Sequence, residues 1–114
     1  MGKRIWIDDM RQAPDGYIWC KSVRDAKETI FTCVAAYNSG NNDFAIDLID
    51  LDHDAGDFAC DGGDYIAVLD FLTRYRDEMR IKDMETVFRI HSMNVVGRQN
   101  MIRIIERNGW RLIN

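Results

Sequence analysis

The sequence is poor in the residues that mark disorder, covalent staples and membranes. Proline occurs once, at Pro14, and there is no polar low-complexity tract, which excludes a proline-rich linker or a disordered tail as the main feature. Three cysteines, Cys20, Cys33 and Cys60, cannot all pair with one another and lack a Cys-x-x-Cys spacing. Neither a disulfide framework nor a zinc knuckle is indicated, and reduced thiols are expected. No apolar run approaches the ~20 residues of a membrane span, and MGKRIWIDD turns acidic after three apolar residues, too short for a signal peptide. A cytoplasmic location without membrane partners is the expectation. Positive charge is also in deficit: 15 Lys and Arg against 19 Asp and Glu leave a net charge of −4. Broad nonspecific binding to DNA or RNA draws on Lys and Arg neutralising phosphates, so it is not expected. Any phosphate recognised here must meet a local cation.

What is present fits one globular domain, residues 1–114, with 46% apolar and 30% charged residues. Arg4–Ile7 reads as a short strand that stops at Asp8-Asp9, followed by a loop with Pro14 and Asp15-Gly16 as turn formers. Tyr17–Lys21 is β-prone. Ser22 then caps a helical pattern of Val23, Ala26, Ile30, Val34 and Tyr37, with Asn38-Ser39-Gly40 as its stop. Phe44–Asp50 reads as a central strand, Asp52–Gly63 as a long loop, and Tyr65, Ile66, Val68, Leu69 and Leu72 as a helix that Asp64 can cap. Thr86–Ile90 is a further strand. Met101, Ile102, Ile104 and Ile105 mark a third helix ending at Asn108-Gly109, and Trp110–Ile113 is a last strand. Strands alternating with helices imply right-handed crossovers and a mostly parallel sheet of about five strands with about three helices.

In such sheets ligands bind beyond the carboxyl ends of the strands. Asp8-Asp9, Asp52-His53-Asp54 and His91-Ser92-x-Asn94 each follow a strand at that end. Asp8, Asp9, Asp52 and Asp54 offer the hard oxygen ligands that Mg²⁺ or Mn²⁺ prefers, and a divalent ion would cancel the repulsion of acids crowded into LDHDAGD. Acids in loops also serve simply as turn formers. His53 and His91, the only histidines, are candidates for moving protons, with Asp52 beside them. Ser92, Asn94 and Arg98 stand at the start of the third helix, where N–H groups favour anions and an arginine can hold a phosphoryl group. The blander reading makes Asn94 a helix cap and Arg98 a solvated first-turn residue. Trp6, Phe44, Phe71, Phe88 and Trp110 fit core positions, and Arg89 within its strand suggests a sheet edge or a partner interaction.

Taken in order, IDD, APDGYIWCKS, LDHDAGD, DGGD and HSMNVVGRQNM resemble the cyclic-phosphate-processing receiver-like domain family, related in fold to response-regulator receivers. The resemblance implies a receiver-like three-layer α/β sandwich and the handling of phosphoesters. It matches Asp8 and Asp9 to the acidic pair, Asp52, His53 and Asp54 to the central motif, and His91, Ser92, Asn94 and Arg98 to the final one. Two departures stand out: no proline follows Asn94, and Asp50 is an extra acid ahead of LDHD.

The function expected is a metal-dependent phosphoesterase acting on a cyclic or terminal phosphate of a nucleotide or nucleic-acid end. The competing expectation is a receiver-like signalling, nucleotide-sequestering or protein-interaction module without turnover, such as a phage-type inhibitor. Receiver phosphorylation uses a lysine at the end of the last strand, and WRLIN has none. The ligand expected is a phosphorylated or cyclic-phosphate nucleotide, with a protein partner as a further option.

Overall fold

Side-chain alternation organises the sheet. In the computed structural model, which describes residues 2–114, β1 (Lys3–Ile7) pairs in parallel with β2 (Tyr17–Cys20) on one side and with β3 (Ile46–Leu51) on the other. β4 (Val87–Ile90) and β5 (Arg111–Ile113) extend the sheet beyond β3, giving five parallel strands in the order β2-β1-β3-β4-β5. The register places Ile18, Ile5, Ile49, Phe88 and Leu112 in one row and Cys20, Ile7, Leu51 and Ile90 in the next. Most of these side chains are buried, as the period of two requires of a face turned to the core. The intervening rows carry Tyr17, Arg4, Leu48, Val87 and Arg111, then Trp19, Trp6, Asp50, Arg89 and Ile113.

Three helices cover the apolar face. α1 (Val23–Asn38) joins β2 to β3, α2 (Ile66–Arg74) joins β3 to β4, and α3 (Val95–Arg107) joins β4 to β5. All three crossovers step across the sheet in the same direction, so right-handedness sets the helices on one side, where α1 meets α2 and α2 meets α3. The step from β1 to β2 runs the opposite way and contains no helix. Its segment 8–16 passes over the other face, where the Arg11 carbonyl accepts a hydrogen bond from the Trp6 indole at 2.8 Å. The receiver-like α/β sandwich expected from the sequence is therefore present, with a loop in place of helices over part of its second face.

Two of the three N-capping signals act as read. The Ser22 hydroxyl accepts from the Asp25 N–H at 3.0 Å and the Asn94 side chain from the Gly97 N–H at 2.9 Å, each satisfying a donor that the helix leaves unpaired. Two local expectations shift. Phe44 lies in a 3-10 turn (Asn42–Phe44) and not in β3, its ring half-buried beneath the Lys3 ammonium. Asp64 does not cap α2; its carboxylate instead accepts from the Ala55 N–H at 3.0 Å and so folds the acidic loop back on itself. All three cysteines are free, and burial pushes the Cys20 thiol up to about 11, which suits a packed and unreactive sulfur.

Candidate functional site

β1, β3 and β4 end together, and their exits continue the sheet by one more row. The Asp8 N–H donates to the Cys20 carbonyl, the Asp52 N–H to the Ile7 carbonyl and the His91 N–H to the Leu51 carbonyl. This continuation is why residues 44, 83 and 39 positions apart in sequence, Asp8, Asp52 and His91, are delivered to one edge. Asp8 is buried, 1% exposed. Its Oδ1 accepts from the N–H groups of Met10 and Arg11, each at 2.9 Å, and its Oδ2 from His91 Nε2 at 2.8 Å. Burial disfavours the carboxylate, but these donors outweigh it and hold Asp8 below its ordinary range.

His91 is engaged on every side. Its Nδ1 donates to Asp50 Oδ1 at 2.7 Å, its Nε2 reaches Asp8, and its ring lies flat on Trp6 with centroids 3.9 Å apart and an interplanar angle of 5°. Burial lowers its affinity for a proton, yet the bonds and charges of Asp50 and Asp8 prevail and raise it above 6.5. An imidazolium between two carboxylates and against a tryptophan face is the electrostatic result. Asp50, also 1% exposed, has no hydrogen-bond partner for its Oδ2 among the described residues, and the Arg89 guanidinium stands 3.9 Å from that atom.

Asp9 and Asp52 complete a group with Asp8, one oxygen of each lying within 4.8 Å of the others. Burial first, and then the charges of Asp8 and Asp52, raise the Asp9 carboxyl above its ordinary value. Three hard oxygen donors that repel one another are what a divalent ion with an oxygen shell requires, so the donor chemistry fits Mg²⁺ or Mn²⁺. Gly56, at φ +55°, lets the loop approach this group: a Cβ there would meet Asp9 Oδ2 at 2.3 Å.

The structure separates Asp54 from that trio. Asp54 belongs to a second group with His53 and Asp64, where His53 Nδ1 lies 2.8 Å from Asp54 Oδ1 and the Asn94 amide donates to the same carboxylate at 3.3 Å. With Nδ1 so occupied, His53 Nε2 has no partner among the described residues. Its ring presses on the first turn of α3, and a Cβ on Gly97 would lie 2.5 Å from both Cγ and Cδ2. Ser92 Oγ accepts from the Asn94 N–H at 3.0 Å, and an Arg98 nitrogen donates to the Ile90 carbonyl. The other guanidinium N–H groups are not used by that bond.

Sequence reasoning alone missed Asp50 and Trp6 as participants. The signal for Asp50 was an acid within the apolar run FAIDLID at an alternate position to Ile49 and Leu51. Trp6 carried no such signal, since an aromatic in a strand reads as core.

Residues 3–107 match the family described as "Cyclic-phosphate processing Receiver domain". Neither the curated proteins nor the solved structures yield a match to the chain.

Proposed function

The chain belongs to the family of cyclic-phosphate processing receiver domains, and from that premise we propose that it hydrolyses a cyclic or terminal phosphate ester on a nucleotide or nucleic-acid end. The observation that carries this reading is the convergence of Asp8, Asp9 and Asp52 beside an imidazole bonded to two carboxylates. Asp8, Asp9 and Asp52 would hold Mg²⁺ or Mn²⁺, which, when bound, polarises phosphoryl oxygens and acidifies water. Asp54, held by His53 and Asn94, would orient the base and leave the ion to the other three.

His53 is the proton acceptor in this proposal. Asp54 accepts a hydrogen bond from Nδ1–H, which fixes the tautomer in which Nε2 carries a lone pair for an attacking water. His91, bonded at both nitrogens, acts through Asp8 as a positioning residue: its charge holds the carboxylate ionised and fixed in direction. The expected role for His91 in moving protons would require it to part from Asp8. Ser92, Asn94, the first N–H groups of α3 and the unused donors of Arg98 would receive the phosphoryl oxygens.

A module that accepts a phosphoryl group on Asp52, or one that only sequesters a nucleotide, is less well supported. β5 brings no lysine to the strand ends, and a histidine oriented by a carboxylate serves hydrolysis. The test is release of phosphomonoester from 2′,3′-cyclic, 3′,5′-cyclic and cyclic dinucleotide substrates with Mg²⁺, with Mn²⁺ and with EDTA. Turnover that EDTA abolishes and that falls about 10²-fold in His53→Ala supports the reading. Binding without turnover for every substrate sinks it in favour of sequestration.

A further inference from the structure

The sheet face opposite the helices has a charge of its own. The rows that point there carry, in one line, Tyr17, Arg4, Leu48, Val87 and Arg111, and Arg89 in the next line toward the strand exits. Arg4, Arg89 and Arg111 are exposed, and the Arg89 side chain is 48% accessible. The one acid in these rows, Asp50, is buried and engaged by His91. A protein of net charge −4 thus has sheet rows whose accessible charges are cationic and whose floor is apolar, with the exposed Glu85 sharing a hollow with Arg111 at one edge. Arg11 continues the line, its guanidinium donating to the His91 carbonyl at 3.3 Å, so the cationic path leads from the middle of the sheet to the acid trio.

We propose that this face binds a single-stranded polynucleotide whose terminal phosphate lies at the strand ends. The inference rests on the phosphoesterase reading and deepens it, because it names the substrate as the end of a chain and not a free nucleotide. Charge complementarity selects the occupant: phosphodiesters meet the arginines, while bases lie against guanidinium planes and the apolar floor of Leu48 and Val87. Arg4 already packs over the Tyr17 ring, its guanidinium carbon 4.8 Å from the centroid, which gives the cation an aromatic support.

The test uses fluorescence anisotropy with a fluorescein-labelled octauridylate ending in a 3′-hydroxyl, in EDTA, so that neither metal nor terminal phosphate contributes. Binding is expected, and log affinity should fall with log salt with a slope of about −2, as three phosphate contacts on a single strand require. Arg4→Glu combined with Arg111→Glu should weaken binding about tenfold or more at low salt. Arg107→Glu, a charge reversal on α3 away from this face, should leave it unchanged. If thermal melting shows the double reversal to be unfolded, Arg4→Gln with Arg111→Gln replaces it, with loss in the same direction.

Absence of octauridylate binding, an equal loss in Arg107→Glu, or displacement by poly-glutamate as effective as by unlabelled octauridylate overturns the proposal. The two readings fail separately. Turnover of a cyclic mononucleotide by a protein that ignores octauridylate removes only the sheet-face site. Binding through Arg4 and Arg111 with no cyclic phosphate cleaved supports the face and removes the phosphoesterase.

Discussion

Gly97→Ala isolates the contact between His53 and α3. Gly97 is the third residue of the helix and has no left-handed backbone conformation, so alanine meets no torsional strain and should gain about 1 kcal/mol of helix propensity. The new methyl group, however, would stand 2.5 Å from His53 Cγ and Cδ2 and 2.8 Å from Nδ1. Carbon atoms settle at about 3.5 Å or more, so the ring must retreat by about 1 Å. The clash includes Cγ, the root of the ring, and rotating the imidazole in place does not relieve it. Retreat pulls Nδ1 away from Asp54, whose 2.8 Å bond sets the tautomer. Overpacking of this kind costs about 1–3 kcal/mol, which offsets the gain in propensity. Urea unfolding should therefore show a net change between about zero and 2 kcal/mol of destabilisation, while turnover falls about 10²-fold from misplacement of the base. In a His53→Ala background the same substitution should stabilise by about 1 kcal/mol, giving a coupling of roughly 1–3 kcal/mol across the double-mutant cycle. Wild-type turnover in Gly97→Ala, or equal effects in the two backgrounds, would refute both the packing and the role assigned to His53.

Three further outcomes follow from the same geometry. In EDTA, the raised affinity of His91 for a proton contributes stability that is fully present below pH 6.5, its unfolded value, and is lost as pH rises through the higher folded value; Asp50→Asn should flatten that dependence in urea titrations and cost about 1–3 kcal/mol on the acid side, and an unchanged pH profile would break the link. Mg²⁺ or Mn²⁺ at a hundredfold excess over its Kd should stabilise the fold by about 2.7 kcal/mol in thermal melts, with the effect absent in Asp9→Ala and Asp52→Ala; no shift with either ion counts against the trio as a metal site. Gly56→Ala combines a positive φ with a Cβ 2.3 Å from Asp9 Oδ2, and should destabilise by about 1 kcal/mol or more and weaken metal binding by calorimetry, whereas an unaltered affinity would show that Asp9 is not oriented by the loop.

The fold was legible where local signals agree with the period of the element. The strands, the Ser22 and Asn94 caps and the placement of three polar motifs at one rim follow from alternation and from the right-handed rule. The central strand was displaced because Phe44 has strand propensity but follows Asn41, whose side chain accepts from the Asp43 N–H and nucleates a turn. The grouping of acids inside LDHD was not legible. Asp52 and Asp54 are two residues apart, and strand alternation would keep them on one face, but the chain leaves the strand at Asp52 and turns toward α3. There Asn94, recognised as a cap, also donates to Asp54, so a residue read as having either a structural or a ligand role serves the helix with its oxygen and the site with its nitrogen.

Asp50 connects these observations to the way the site works. A carboxylate with 1% exposure is costly unless a cation faces it, and the two available cations differ in reach: His91 forms a 2.7 Å bond, and Arg89 stops at 3.9 Å. The close partner is therefore the titratable one. Because His91 bonds Asp8 through its other nitrogen, the buried acid acts on a carboxylate of the acid trio across the ring that lies flat on Trp6. Asp50 thus has a reason to interrupt an apolar strand: it sets the charge of His91, and through His91 the direction of Asp8. Arg89, left at longer range by that arrangement, keeps its guanidinium in solvent on the open face, so one register row, Trp6-Asp50-Arg89, supports the acid site at its centre and supplies a cation to the sheet surface at its side.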